Sequence, residues 1–183
     1  MDNYLSYVAI DLADESKQML FHLVSQIIPE SDYFQSLDPG YAYINGNVAK
    51  KGHLTLCYGI KNLDFKKRFD AAKLKINWQH TAVIKNIQIN LGYQGKYYVV
   101  VAIPEIDKDI FEFDIWIRSN SDIIPDSATF DPHLALCYIK NSGNYPTEIF
   151  KDLQEKLVGK TVNFGSVNLY PSKGQEKISL VIF

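Results

Sequence analysis

His53-Leu54-Thr55-Leu56-Cys57-Tyr58 and His133-Leu134-Ala135-Leu136-Cys137-Tyr138 are one six-residue phrase written twice, 80 residues apart, with five of the six residues identical. The same offset holds well beyond the phrase. Phe65 falls on Tyr145, Phe69 on Ile149 and Thr81 on Thr161, and Ile84, Ile87 and Ile89 fall on Phe164, Val167 and Leu169. A single spacing kept through strand-like, helix-like and again strand-like sequence marks an internal duplication, which takes precedence over any element-by-element fold assignment.

Hydrophobic periodicity supplies the elements around the two phrases. Residues 7–12 form a short apolar run, expected as a buried strand. Residues 14–28 place Leu20, Leu23, Val24 and Ile27 at helical spacing, and Pro29 ends the helix. A long connection over 31–52 carries the turn signals Asp38-Pro39-Gly40 and Asn45-Gly46-Asn47. Then come a strand at 53–60, a helix at 64–74, and strands at 81–91 and 96–103. A second helix–loop–strand follows, with the helix marked by Ile106, Ile110, Phe113 and Ile117, the loop at 120–132 and the strand at 133–140. Pro146 opens a further helix carrying Ile149, Phe150, Leu153 and Leu157, Gly159 ends it, and strands at 161–170 and 177–183 close the chain. The expectation is an α+β chain, residues 1–183 forming one domain of two interleaved lobes. Its two antiparallel sheets are related by an approximate two-fold axis and flanked by helices, with a cleft at the seam.

Composition narrows the function. The 183 residues carry a formal net charge of −2. Proteins that grip long nucleic acid draw affinity from neutralised phosphates and usually show a basic surplus. Any phosphate ligand is therefore expected to be small, or touched at only a few phosphates, and long nucleic acid is not the expected partner. No apolar run reaches the ~18–20 residues that span a bilayer. The start, Met1-Asp2-Asn3-Tyr4, has no secretory character. Two cysteines, Cys57 and Cys137, are too few for a disulfide scaffold. A soluble, cytoplasmic monomer is expected.

Side chains on a strand alternate between faces. His53, Thr55 and Cys57 are expected on one face, with Leu54, Leu56 and Tyr58 behind. His133, Ala135 and Cys137 repeat that face in the second copy. If the halves are two-fold related, the two imidazoles oppose each other across the seam. An imidazole titrates near ~6.5, so one ring can accept a proton from a nucleophile while the other donates to a leaving oxygen. A threonine two residues on can donate to a phosphate oxygen and stabilise charge in the transition state. The sequence has no His-Glu-x-x-His run and no close cysteine pair, and the chemistry so read needs no metal and no cofactor.

The duplicated His-x-Thr/Ser strand resembles the two-histidine (2H) phosphoesterase superfamily, which includes LigT-like cyclic nucleotide phosphodiesterases, 2′-5′ oligoadenylate phosphodiesterases and phage anti-CBASS enzymes of immune evasion. Phe130-Asp131-Pro132-His133 resembles the Phe-x-Pro-His lead-in of that group. The resemblance runs from Tyr7 to Phe183. It implies that His53 and His133 are the acid and base and that Thr55 is a phosphate-binding hydroxyl. It also implies a bilobal 2H fold and a substrate that is a cyclic di- or oligonucleotide, a 2′-5′ oligoadenylate or a 2′,3′-cyclic phosphate. Ala135 departs from the pattern, which wants Thr or Ser there. A hydrogen bond to a charged group is worth ~1.5–3 kcal/mol, so its loss slows chemistry roughly 10- to 100-fold. Three readings stay open: a slower enzyme, another donor in its place, or a substitution that traps ligand. A nucleotide-sequestering protein is the alternative function.

Tyr7, Tyr41, Tyr43 and Phe130 are candidates to stack a base. Lys50, Lys51 and Lys140 flank the motif strands, where they can attract an anion. The loop at 31–52 is longer than its counterpart and is expected to lie over the base. Cys57 and Cys137 read as small core residues.

Overall fold

The alternating and continuous apolar runs become strands, and the stretches of helical spacing become helices that cover them. The computed structural model describes residues 6–37, 45–61, 64–74, 80–123, 131–171 and 176–183. The elements are β1 (Ser6–Leu12), α1 (Asp14–Ile27), β2 (His53–Ile60), α2 (Phe65–Ala72), β3 (Thr81–Leu91), β4 (Tyr97–Pro104), α3 (Lys108–Asn120), β5 (Leu134–Lys140), α4 (Thr147–Leu157), β6 (Thr161–Tyr170) and β7 (Ile178–Ile182). The fold is mixed α+β, with an antiparallel seven-stranded sheet in the order β1-β2-β5-β4-β3-β6-β7 and a further pairing of β1 with β6.

The register shows how the duplication is built. In β1, Val8 and Ala9 face Cys57 and Thr55; in β4, Val100 and Val101 face Cys137 and Ala135. β4 is thus the counterpart of β1, and the repeats are β1-α1-β2-α2-β3 and β4-α3-β5-α4-β6, with β7 added. This differs from the sequence expectation, in which residues 96–103 end the first half. Counterparts lie 92 residues apart in the first strands but 80 apart in the motif strands, so the first repeat holds 12 more residues between them. The repeats also exchange their last strands: β3 pairs with β4, and β6 with β1.

Two strand pairings join the β6-β1-β2 half of the sheet to the β5-β4-β3 half, and in both the residues are related to their own counterparts. Leu54 faces Leu134 where β2 meets β5. At the other contact Thr81, Ala82 and Val83 face Asn163, Val162 and Thr161. The flanking hydrogen bonds match as well: Phe164 N donates to His80 O at 2.7 Å and Ile84 N to Lys160 O at 2.9 Å. Contacts in which residue and counterpart swap roles are the signature of a two-fold axis. Leu54 and Leu134 are fully buried, in a core continuous with Leu20 and Val24 of α1, Ile110 and Ile117 of α3, and Leu153 and Leu157 of α4. Burying each such leucine is worth about 2 kcal/mol.

Each motif strand carries a bulge at the same place. The β1–β2 register skips Leu56 and the β4–β5 register skips Leu136. A bulge frees a carbonyl from the ladder, and the two repeats satisfy it differently. Leu136 O accepts from Val48 N at 2.9 Å, whereas Leu56 O accepts from Arg118 Nη2 at 3.3 Å. Arg118 Nε in turn donates to both carboxylate oxygens of buried Asp114, at 2.9 and 2.8 Å. Burial, opposed by Arg118, leaves the Asp114 carboxyl above the usual carboxylate range.

Arg118→Ala removes the counter-ion from a buried carboxylate and is expected to cost about 3 kcal/mol in chemical denaturation at neutral pH. A carboxyl whose folded value lies above its unfolded one opposes folding once ionised. The deficit of Arg118→Ala against wild type should therefore shrink as pH falls below neutrality through that raised value. A deficit independent of pH would show that Asp114 is not its source.

Candidate functional site

The bulges decide which side chains face the seam. Up to Thr55 the strand alternates as expected, with His53 and Thr55 half-buried and Leu54 and Leu56 inside. The extra residue at Leu56 then resets the alternation. Cys57 joins Leu56 in the core, and Tyr58 emerges on the histidine face, 52% exposed. In β5, Cys137 is likewise buried and Tyr138 emerges beside Ala135. The expectation that the cysteines share the histidine face and the tyrosines lie behind is therefore corrected at both strands. No periodicity argument finds a bulge, because it is a register slip between strands.

A cavity of about 620 Å³ opens on this face. His53, Thr55 and Tyr58 of β2 line it, with His133 at the start of β5 and Ala135 and Tyr138 on β5; Tyr7 of β1 and Val48 and Lys51 of the first connection complete the wall. The antiparallel pairing of Leu54 with Leu134 sets the histidines on diagonal positions of neighbouring strands. In a regular ladder such positions are ~7–8 Å apart.

Both imidazoles are held in the same way. His53 Nδ1 lies 2.9 Å from Lys51 O, and His133 Nδ1 lies 2.8 Å from Asp131 O. A carbonyl only accepts, so each Nδ1 carries the proton and Nε2 is left for chemistry. Lys51 and Asp131 are themselves 80 residues apart. The turn before His53 is tight: a Cβ on Gly52 would come within 2.9 Å of Ala49 O.

The lysine sits in the cavity because the connections cross over. The first repeat's connection lies along the outer edge of β5: Tyr33 bridges Ile139, Asn47 bridges Cys137, and Tyr138 N donates to Gly46 O at 2.9 Å. Asn47 ties it to α1, donating to Phe21 O and Ser25 Oγ at 3.0 Å. The second repeat's connection lies on β2, where Ile123 bridges Ile60 and Lys61 N donates to Asp122 O at 2.8 Å.

Beside His53 stands an aromatic and polar cluster of which the sequence names only Tyr7 as a candidate. Tyr7 stacks on Tyr170, centroids 4.6 Å apart and planes at 6°, and the His53 ring lies 5.8 Å from Tyr7 and 6.1 Å from Tyr170. Buried Asp11 accepts from Tyr170 OH at 2.5 Å, Asn168 Nδ2 at 2.9 Å and Lys177 Nζ at 2.8 Å. Burial raises the Tyr7 hydroxyl pKa. Burial, then the bond to Asp11 and its charge, raises that of Tyr170 further. Asp11 lies within the apolar run of β1, which hides its role.

Of the other sequence candidates, Lys140 does not reach this cavity. Its Nζ donates to Ser31 O at 2.5 Å, and the residue borders a separate cavity with Asp32 and Tyr145. A strand-end lysine follows its strand, and β5 carries it away from His133. Lys50 lies over the Phe21 ring, 4.0 Å from its centroid. Tyr41, Tyr43 and Phe130 lie outside the described residues. Among the described residues, no group of three or more His, Cys, Asp or Glu side chains could hold a metal ion, and no helix is long and apolar enough to cross a membrane.

Burial pushes the Cys57 thiol up to about 11 and raises Cys137 further. Both should stay unmodified by a thiol reagent at pH 8 in the native protein and react fully in denaturant. Rapid native labelling of either would contradict the bulged register.

The fold has solved counterparts. Escherichia coli LigT in complex with 3′-AMP matches with a TM-score of 0.55 at 15% identity, covering 98% of this chain and 96% of that one. Kluyveromyces marxianus Usb1 matches with a TM-score of 0.58 at 9% identity, covering 98% and 99%. A further structure described as a phosphoesterase matches with a TM-score of 0.55 at 14% identity, covering 98% and 97%. LigT structures hold ATP and phosphate, and one of Usb1 holds uridine monophosphate. No protein-family model matches the chain, and no curated protein matches it in sequence.

Proposed function

We propose that this protein is a phosphodiesterase of the two-histidine type, acting on a small nucleotide without a metal. One observation carries the reading: two imidazoles line a single cavity, and each is tethered through Nδ1 to the carbonyl two residues before it. In this reading Nε2 of one neutral ring takes the proton of the attacking water or hydroxyl as its oxygen bonds to phosphorus. Nε2–H of the other, protonated ring delivers its proton to the departing oxygen as the second P–O bond breaks. The pseudo-symmetry leaves both assignments open until the substrate is oriented. Thr55 donates to a non-bridging oxygen, and Lys51 supplies a positive charge at the cavity wall. Tyr7, backed by Tyr170, offers a face on which a base can stack. The shared fold of LigT and Usb1, solved with nucleotides, supports a nucleotide ligand.

The substrates to test, in order, are a cyclic di- or oligonucleotide, a linear 2′-5′ oligoadenylate and a 2′,3′-cyclic phosphate, each with product identification. His53→Ala and His133→Ala are each expected to lower kcat by at least about 100-fold, with activity unaffected by EDTA and a bell-shaped pH–rate profile that loses one limb in each variant. Retained turnover in either variant, or loss of turnover in EDTA, overturns the reading.

Ala135 favours a second reading, a protein that holds a nucleotide and turns it over weakly or not at all. The position lines the cavity as Thr55 does but has no hydroxyl. Restoring it in Ala135→Thr should raise kcat about 10- to 100-fold if the chemistry lacks only that donor. Tight binding with no product in wild type and in Ala135→Thr would establish sequestration instead.

A further inference from the structure

We infer that Tyr58 and Tyr138 are a matched pair of base-stacking sites, so that the ligand carries a nucleoside on each side of the central phosphate. The inference rests on the phosphodiester reading of the cavity and deepens it: the substrate class becomes an internal linkage between two nucleosides, linear or cyclic, and not a mononucleotide cyclic phosphate.

Three observations lead there. First, the two tyrosines are counterparts 80 residues apart, and each reaches the histidine face only because its strand bulges at Leu56 or Leu136. Without the bulges both rings would lie in the core with the leucines, where a tyrosine would have to bury its hydroxyl. Second, β2 and β5 run in opposite directions from the Leu54–Leu134 pair. Tyr58 and Tyr138 therefore lie at opposite ends of the cavity with the histidines between them. The two positions are separated by about six strand rises, or roughly 20 Å. Third, each ring is braced by a tyrosine of an adjoining strand. Tyr7 lies 6.3 Å from Tyr58, and Tyr97 meets Tyr138 edge-on at 5.6 Å and 78°. A braced ring loses little freedom when a base settles on it, which favours stacking. A ligand with one nucleoside engages one of these sites; a phosphate flanked by two nucleosides engages both.

The test uses ApA dinucleotides in 2′-5′ and 3′-5′ linkage, two versions of each lacking the 5′ or the 3′ base, and adenosine 2′,3′-cyclic phosphate. Affinities are measured by calorimetry in a His133→Ala background that blocks turnover, and kcat/KM in the otherwise unaltered protein. The complete dinucleotide of the accepted linkage should bind about 5- to 100-fold more tightly than either single-base version. Tyr58→Ala should weaken the complete ligand by a similar factor, yet leave unchanged the version lacking one particular base. Tyr138→Ala should do the same for the version lacking the other base. Tyr58→Phe and Tyr138→Phe should bind as wild type, which separates stacking from folding. Equal losses on both single-base ligands, or a cyclic mononucleotide processed as well as the dinucleotide, would overturn the inference while leaving the two-histidine reading in place. Turnover that survives loss of both histidines would overturn that reading instead, with the crossed binding pattern still able to stand.

Discussion

The two halves of this sheet touch at their motif strands through one residue pair. Leu54 and Leu134 face each other in register, and from that point β2 and β5 part, each running back along its own neighbour. Had the pairing continued, the two strands would have formed an unbroken ladder with no opening between them. Because it stops, the edges beyond the pair are free to receive the crossing connections, and the space between them becomes the cavity. Burial of the two leucines holds the meeting point, and the residues beside them, His53, Thr55, His133 and Ala135, are left to face the cavity. Fold and site are thus consequences of one short contact on a two-fold axis.

Much of this was legible in the amino-acid order. The 80-residue offset announces the duplication, the alternation around Leu54 and Leu134 puts the imidazoles on a common face, and the apolar spacing locates α1, α2, α3 and α4. The parts that stayed hidden share a cause. The bulges, the exchange of β3 and β6 between halves, and the route of each connection are properties of how strands register against one another, and periodicity within a strand is blind to them. The errors follow accordingly. Periodicity puts Cys57 and Tyr58 on each other's faces and reads Asp11 as part of an apolar run, and Lys140, which flanks a motif strand in sequence, is carried away from the histidines by β5.

The pseudo-symmetry is kept in the backbone and broken in the side chains. Thr55 answers to Ala135, Lys51 to Asp131 and, across the neighbouring strands, Tyr7 to Val99. The hydroxyl, the ammonium group and the second aromatic wall all fall on the His53 side. A duplicated scaffold supplies two equivalent imidazoles at little cost in new structure, and divergence of the surrounding positions then gives each a different neighbourhood.

The exchange of last strands bears on how the chain is made. β1 is synthesised before the rest of the sheet, but one of its two edges is satisfied by β6, whose paired residues come 152 to 163 positions later. Long-range pairing of this kind is slow to form, since a large loop must close before any contact compensates for it. Until β6 has been made, the nascent first repeat carries an apolar strand with one side open. Such an edge invites association with other chains, and only the arrival of β6 closes it.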